Sequence, residues 1–245
     1  MTAPLKAVFF DLGDTLLNFA GSNYNQLFAQ GASLAYKYLQ NQGLRLPSEK
    51  KYLWMHWLAI RTNLIKSFFT RREFNAADVM QECCGKLKIP QNKNMVLELC
   101  WQFYIPVMKT AYVEESLKQV IRDLKALNLD ICIVSNTFVP GETLDRHLNS
   151  EGLLELFPDR IYSCDIGIRK PNRGIFTAAC ERMKVNPDQV MFVGDKPQYD
   201  IKGANRMGMI SVLKDPAGKY RKPRFKPTHK VEKLLELPEI CKQYL

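Results

Sequence analysis

The sequence predicts an α/β fold in which a parallel sheet is interrupted, after its first strand, by a long helical segment. Short apolar runs alternate with helical patterns over residues 112–213, as strands and crossover helices of a parallel sheet do. One further apolar run, Ala7–Phe10, lies near the start of the chain and is separated from the others by a helical stretch at 20–109. These two observations place the first strand and the later strands in one sheet.

The first strand ends in an unusually acidic turn. Ala7–Phe10 is short and rich in Val and Phe, which is typical of a strand buried on both faces. Asp11, Gly13 and Asp14 follow it, and in open parallel sheets the chemistry collects at the carboxyl ends of the strands. Asp11 is therefore a candidate nucleophile or metal ligand. The alternative is that Asp11 and Asp14 only cap the turn into a helix.

The stretch from 20 to 109 has helical periodicity throughout. We expect a helix after Pro47-Ser48 with one broad apolar face, made of Leu53, Trp54, Trp57, Leu58, Leu64, Ile65 and Phe68. Trp54, Trp57 and Trp101 are interpreted as core residues, although one of them could instead line a substrate pocket. We interpret His56 as a half-buried surface histidine, since no second ligand residue stands at metal-binding spacing.

Beyond Tyr112 the pattern changes to strands and helices in alternation. An amphipathic helix over 114–127 turns Leu117, Val120, Ile121 and Leu124 inward. The remaining predicted strands are 129–134, 160–165, 189–193 and 210–213, and the remaining predicted helices are 144–153, 172–183 and 199–207. Strands joined through helices imply right-handed crossovers and a sheet covered on both faces.

Composition bounds the class of protein. The chain has 245 residues, 46% of them hydrophobic and 24% charged, which suits one large domain or two modest ones. We find no apolar run of the ~18 residues that a membrane span needs, and no secretory signal pattern. The seven Cys are odd in number and lack C-x-x-C spacing, which indicates a reducing cytoplasm. Nothing in the sequence indicates an oligomeric state.

The net charge of +10 is concentrated in one segment, Lys214 to Lys233. Pro216, Pro223 and Pro227 interrupt this segment, so it cannot form one recognition helix. We interpret it as a solvated basic loop that would attract anionic substrates, with a nucleic-acid footprint as the less favoured alternative.

Polar residues that could hold a phosphate group follow the predicted strands in order. Asp11 follows the first strand, Ser135 the second, Lys170 the third, and Asp195 the fourth, with Asp200 a turn later. Carboxylate oxygens suit Mg²⁺, which shares its shell with substrate phosphate. A lysine and a hydroxyl can hold the other phosphate oxygens and neutralise charge. The sequence therefore predicts a magnesium and phosphate site.

These motifs resemble those of the haloacid dehalogenase superfamily of hydrolases. The matching stretches are Asp11-Leu12-Gly13-Asp14-Thr15-Leu16, Val134-Ser135-Asn136-Thr137, Arg169-Lys170-Pro171 and Val193-Gly194-Asp195 with Asp200. The resemblance implies a Rossmann-like core at 1–19 and 110–245, with a helical cap at 20–109. It implies a Mg²⁺-dependent phosphatase that acts on a small phosphorylated metabolite through an aspartyl-phosphate.

The resemblance also assigns roles to residues. Asp11 is expected to be the nucleophile, and Ser135 and Lys170 to bind the phosphate. Gly13, Thr15 and Asn136 are further expected substrate contacts. The expected metal ligands are Asp11, Asp195, Asp200 and the backbone carbonyl of Gly13.

One position departs from the family pattern. Phosphatases of this family usually carry an acid where this chain has Gly13, and that acid protonates the leaving group and later activates water. Here the acid stands one place later, at Asp14, which makes Asp14 a candidate catalytic residue. Adjacent side chains on an extended segment point in opposite directions, so Asp14 would not simply replace it. Gly13 could permit a backbone geometry that brings Asp14 inward.

Three alternatives to a phosphatase remain. Dehalogenases of the family need no metal, and the acid pair Asp195 and Asp200 argues against them. Phosphonate-cleaving members use a cap lysine, for which the candidates are Lys37, Lys50, Lys51, Lys66 and Lys86. A catalytically weak binding module on the same fold is the third.

Overall fold

The structure is a computed structural model that describes residues 3–19 and 23–245. Over these residues the strands are β1 (Ala7–Phe10), β2 (Leu17–Phe19), β3 (Ala111–Val113), β4 (Asp130–Ser135), β5 (Asp159–Tyr162), β6 (Val190–Gly194), β7 (Ile210–Lys214) and β8 (His229–Val231). The helices are α1 (Tyr24–Asn41), α2 (Glu49–Thr70), α3 (Ala76–Leu87), α4 (Lys93–Met108), α5 (Leu117–Ala126), α6 (Gly141–Ser150), α7 (Ser163–Ile166), α8 (Arg173–Met183), α9 (Lys202–Met207) and α10 (Leu237–Lys242).

Six parallel strands form the central sheet, in the order β5-β4-β1-β6-β7-β8. The predicted α/β class with a parallel sheet is confirmed. Phe10 pairs in register with Ile133 of β4 and Val193 of β6, so these three strands end at the same level. The chain leaves β1 toward β4 on one side and later returns to β6 on the other. A crevice at such a switch point is where α/β sheets bind ligands.

Alternate residues of each strand point to opposite faces of the sheet and pack in two separate hydrophobic cores. Val8 and Phe10 pack in one cluster with the buried faces of α5 and α6. Ala7 and Phe9 pack on the opposite face against α8 and α9. The predicted inward residues of α5, which are Leu117, Val120, Ile121 and Leu124, are all buried.

Helices α1–α4 occupy most of the predicted helical stretch and have a core of their own, which includes Ala35, Leu39 and Leu99. The division into a core at 1–19 and 110–245 and a cap at 20–109 stays a prediction, and its boundary residues 20–22 lie outside the described residues. Two backbone hydrogen bonds join the helices to the sheet side: Ala76 N to the carbonyl of Phe138 and Glu73 N to that of Gly167.

The predicted apolar face of α2 is wrong in large part. This helix buries Tyr52, His56 and Ser67, which form its inner line. Trp54 is 59% exposed, so its interpretation as a core residue is wrong, whereas Trp101 is buried as expected. Leu58, Leu64, Ile65, Phe68 and Phe69 are exposed as well. His56 is buried rather than half-buried, and its Nδ1 lies 2.9 Å from the carbonyl oxygen of Tyr52.

Other elements begin or end at residues that differ from the predicted ones. The strand predicted at 160–165 ends at Tyr162, because Ser163 turns the chain out of the sheet and its hydroxyl accepts a hydrogen bond from Thr137 N. The short antiparallel pair β2–β3 and the edge strand β8 were not predicted. Within the part of the chain that the structure describes, no helix is long and apolar enough to cross a membrane.

The basic segment is more ordered than a solvated loop. Lys214 is fully buried at the end of β7, and His229–Val231 form β8. The carboxylate of Asp215 accepts hydrogen bonds from Lys219 N and Tyr220 N and lies 2.7 Å from Lys230 Nζ. These three contacts to the Asp215 carboxylate fix the path of the segment.

Two buried histidines make stability depend on pH. His147 contacts Tyr104 Oη through Nδ1 at 2.9 Å, and burial lowers the pKa of its imidazole from 6.5 to about 4. Burial likewise lowers the pKa of His56 to about 4.

We expect His147→Gln to weaken the pH dependence of unfolding between pH 6.5 and 4. The wild-type ring is neutral when folded but takes a proton when unfolded, so its contribution is present above pH 6.5 and is lost as the pH falls through 4. The loss attributable to this ring is up to about 3 kcal/mol. Urea unfolding of both proteins across this range measures it, and parallel curves would contradict the buried neutral imidazole.

Candidate active site

A pocket of about 330 Å³ lies at the level where β1, β4 and β6 end. Six residues predicted from the sequence line it: Asp11, Gly13, Ser135, Asn136, Lys170 and Asp200. Asp11 is the first residue after β1, and its amide donates to the carbonyl of Val193 in β6 at 2.9 Å. The strand register therefore brings distant motifs to one place.

Lys170 lies at the centre of this site. Its ammonium group is 2.7 Å from Asp11 Oδ1, 2.8 Å from Asp200 Oδ1 and 2.8 Å from the carbonyl oxygen of Val134. The side chain is 1% exposed. Burial opposes the charged form, but attraction from Asp11 and Asp200 outweighs it, so the pKa of Lys170 lies above its ordinary value. The lysine is a fixed cation that orients the Asp11 carboxylate.

Asp11, Asp195 and Asp200 form a cluster of acids. Each offers a carboxylate oxygen, and these atoms lie within 4.8 Å of one another. Gly194 makes the cluster possible, because a Cβ at this position would come within 2.4 Å of Asp200 Cγ. Asp200 Oδ2 also accepts a hydrogen bond from Lys196 N at 2.9 Å.

The acids repel one another in this buried setting. Burial, reinforced by the negative charge of Asp11, raises the pKa of Asp195 to about 7. Burial raises the pKa of Asp200 as well, and the neighbouring Lys170 opposes this shift only in part. A further positive charge beside the cluster would therefore stabilise its ionised form.

Asn136 lines the pocket and also holds the backbone of Lys170. Its Oδ1 accepts from Lys170 N at 2.7 Å, and its Nδ2 donates to the carbonyl of Lys170 at 3.0 Å. Both ends of the amide therefore hold the Lys170 backbone, although Asn136 also lines the pocket. This makes Asn136 a positioning residue for Lys170, a role that the sequence did not reveal, while its expected contact with substrate stays a prediction.

The loop after Asp11 does not bring Asp14 inward. Asp14, not Gly13, has the left-handed backbone conformation, with φ of +59°. Its carboxylate is about half exposed and lies 3.5 Å from Lys196 Nζ, and Asp14 does not line the pocket. A Cβ on Gly13 would meet only Phe19 Cε2, at 3.8 Å, so neither conformation nor space requires glycine there.

Thr15 is fully buried and does not line the pocket, so the structure does not bring it to the predicted substrate position. The five candidate lysines of the helical segment do not line it either, and its lysines are Lys170 and Lys196.

Two lysines near the site have roles that sequence reasoning missed. Lys196 Nζ lies 3.1 Å from Asp195 Oδ2, and its place directly after Asp195 was the available signal. Lys214 Nζ lies 2.6 Å from Glu114 and donates to the carbonyl of Thr15 and to Asn18 Oδ1. Lys214 thereby holds the loop that follows Asp11, although the two are about 200 residues apart in the sequence. No local sequence pattern could have shown a contact over this separation.

Comparison with known proteins agrees with this arrangement. The model of the family described as haloacid dehalogenase-like hydrolase matches residues 5–208. The chain belongs to this family. The resemblance proposed from the motifs and the Rossmann-like core is thereby confirmed.

Relatives within the family have different activities. The chain is 29% identical over 214 residues to the glyceraldehyde 3-phosphate phosphatase of Methanothermobacter thermautotrophicus, and the match covers 85% of each protein. It is 32% identical over 238 residues to (S)-2-haloacid dehalogenase 1 of a Pseudomonas species, covering 97% of this chain and 96% of that one. A solved 2-haloacid dehalogenase from Pseudomonas syringae has the same fold, with a TM-score of 0.68 at 21% identity over 98% of this chain and all of the other.

We expect Lys170→Met to destabilise the protein by about 3–5 kcal/mol, because it leaves the buried Asp11 and Asp200 carboxylates without their cation. Urea unfolding at pH 7.5 without added metal measures the loss. Part of it should be regained at pH 5, because burial raises the pKa of Asp200 and a protonated Asp200 needs no cation.

Lys196→Met is the matched control for the Lys170 change. Its side chain is 41% exposed, so solvent screens the acids that it contacts and the loss should be smaller. Equal losses in the two variants would contradict the central role of Lys170.

Proposed function

We propose that this chain is a Mg²⁺-dependent phosphatase of small phosphorylated metabolites that works through an aspartyl-phosphate. The observation that carries the proposal is the close grouping of the carboxylates of Asp11, Asp195 and Asp200, of which Asp11 and Asp200 line the pocket. We place the activity in the cytoplasm, because all seven cysteines are free and buried.

The acid cluster suits a hard divalent cation. Mg²⁺ takes oxygen ligands and is bound through a few carboxylates plus substrate phosphate. Burial and, after it, the negative charge of Asp11 raise the pKa values of Asp195 and Asp200, and a bound cation would favour the ionised form of both acids. Asp11, Asp195, Asp200 and the Gly13 carbonyl would hold it. When bound, it would neutralise charge on the phosphate oxygens.

The other steps use side chains of this chain. Lys170 holds Asp11 Oδ1, which leaves the second oxygen of that carboxylate to attack phosphorus. The bond from phosphorus to the ester oxygen breaks, and the leaving alcohol takes its proton from solvent. Ser135 and Lys170 contact the phosphoryl oxygens. Water then attacks phosphorus, and inorganic phosphate and free Asp11 result.

Dehalogenation is the second candidate, favoured by the relative that is 32% identical over nearly the whole chain. In that chemistry Asp11 would attack carbon and expel halide, and no metal would be needed. The three acids have carboxylate oxygens within 4.8 Å of one another and therefore repel each other. Attack on an uncharged carbon atom makes no use of this concentration of negative charge, whereas binding of a metal ion does.

We expect Asp11→Asn to fold like the wild type and to abolish Mg²⁺-dependent hydrolysis of an aryl phosphate. Asn is nearly isosteric with Asp but is a poor nucleophile. Asp195→Asn is expected to raise the Mg²⁺ concentration needed for half-maximal rate. The assays are phosphate release with and without Mg²⁺ and, in parallel, halide release from a 2-haloacid. Metal-independent halide release without phosphate release would overturn the proposal in favour of the dehalogenase.

Gly13→Asp tests the missing acid directly. The position has space for a side chain, so we expect this variant to raise turnover of alkyl phosphates by about 10²–10⁴-fold and to flatten the dependence on leaving-group pKa. Gly13→Asn is the matched control, which adds the same bulk without the acid and should show no gain.

Asp14→Asn should change turnover little, because its carboxylate lies outside the pocket. A loss on the order of 10²-fold in this variant would instead show that Asp14 reaches the leaving group during catalysis.

A further inference from the structure

A second cavity, of about 620 Å³, lies beside the catalytic pocket. It is lined by residues of α1–α4 and of the chain segment that follows β4. Its wall is almost wholly apolar and includes Phe28, Trp57, Met80, Phe103, Phe138 and Pro140. Cavities of this size fall within the range that holds drug-sized ligands.

The cavity adjoins the catalytic pocket. Tyr104 and Val139 line both spaces, so the two share a wall. Val139 follows Ser135 by four residues, which takes the chain from the expected phosphate contact to the apolar space. The catalytic pocket also includes apolar residues, such as Leu17, Phe19 and Leu144. An organic group that extends from a phosphate at Asp11 toward Val139 would therefore lie against mostly apolar side chains.

Packing among the aromatic residues supports the shape of the cavity. Phe138 stacks on Phe74 with ring centroids 5.2 Å apart, and Phe28 packs on Phe103 at 5.3 Å. These contacts hold three of the lining rings, Phe28, Phe103 and Phe138, against other aromatic side chains. The cavity is thus built into the packing of the helices.

Few polar groups reach the wall, which therefore offers little to compensate for the desolvation of a charged occupant. His56 lies among the aromatic side chains, with Nδ1 against the Tyr52 carbonyl, and burial lowers its pKa to about 4. Its ring is therefore neutral at pH 7. The charged residue on the wall is Arg61, whose guanidinium lies 4.7 Å from the centre of the Trp57 ring. Water in such a space makes few hydrogen bonds, so an apolar group displaces it favourably.

We propose that this cavity receives the leaving group and that the substrates are phosphate monoesters of bulky apolar alcohols, aliphatic or aromatic. This inference rests on the proposed phosphatase function and adds its substrate class. A phosphorylated three-carbon sugar would occupy the catalytic pocket alone and would leave the apolar cavity unused.

Binding of n-alkylphosphonates tests the proposal without turnover, since their carbon–phosphorus bond is not a phosphate ester. Isothermal titration calorimetry with butyl-, hexyl- and octylphosphonate, on wild-type protein with Mg²⁺, gives affinity against chain length. We expect affinity to rise about fourfold for each added methylene that the cavity buries.

A matched pair of variants locates the effect. Trp57 lines the cavity, whereas Trp54 lies three residues earlier on the same helix, is exposed and does not line it. Trp57→Ala should flatten the dependence on chain length, and Trp54→Ala should leave it unchanged. Ala76→Phe, which adds bulk at the wall, should weaken octylphosphonate binding while leaving butylphosphonate binding nearly unchanged, and melting curves check that each variant folds.

Affinity that does not rise with chain length in the wild type would overturn the proposal. So would a chain-length dependence that Trp54→Ala and Trp57→Ala reduce equally, since binding would then involve the exposed face of α2. The phosphatase function is judged separately, by Mg²⁺-dependent hydrolysis of an aryl phosphate, whose leaving group does not depend on an acid at position 13. Such hydrolysis without a chain-length effect refutes the substrate class alone, and its absence refutes the function.

Discussion

The ammonium group of Lys170 is the interaction on which the site depends. It is buried at the ends of three adjacent strands, where it contacts Asp11 after β1, the Val134 carbonyl in β4 and Asp200 beyond β6. A buried lysine is costly unless it is paired, and paired buried acids are costly without it. Asn136 completes the arrangement by holding the Lys170 backbone at both its N–H and its carbonyl. The sequence motifs that carry Asp11, Asn136, Lys170 and Asp200 therefore stabilise one another in the folded protein.

The sequence contained the parts of this arrangement that depend on local order. A buried strand followed by an acid is recognisable, and four such strand ends in series predicted which residues meet. It could not show that both ends of the Asn136 amide hold Lys170, or that Lys214 reaches the loop after Asp11, because these contacts join distant segments. The direction of the Asp14 side chain could not be predicted for another reason. It depends on the left-handed backbone conformation of Asp14, which is set by how the folded turn closes. Trp54 was misjudged because α2 buries the line through Tyr52 and His56 instead.

Two neighbouring spaces divide the work of recognition. The catalytic pocket is ringed by carboxylates and lysines and suits the transferred group, whereas the cavity among α1–α4 is apolar and suits an uncharged organic part. Tyr104 stands between them and is hydrogen-bonded to His147 of α6, which fixes the shared wall to the sheet side of the molecule.

The central claim is that Asp11 takes up a phosphoryl group, and mass spectrometry of protein quenched with acid during turnover tests it most directly. With an aryl phosphate and Mg²⁺, we predict a chain heavier by one phosphoryl group, with the added mass on the peptide that contains Asp11. Accumulation is expected because Gly13 supplies no base to speed the second step. An unmodified Asp11 under sustained turnover, or an Asp11 that carries an organic ester after exposure to a 2-haloacid, would contradict the account.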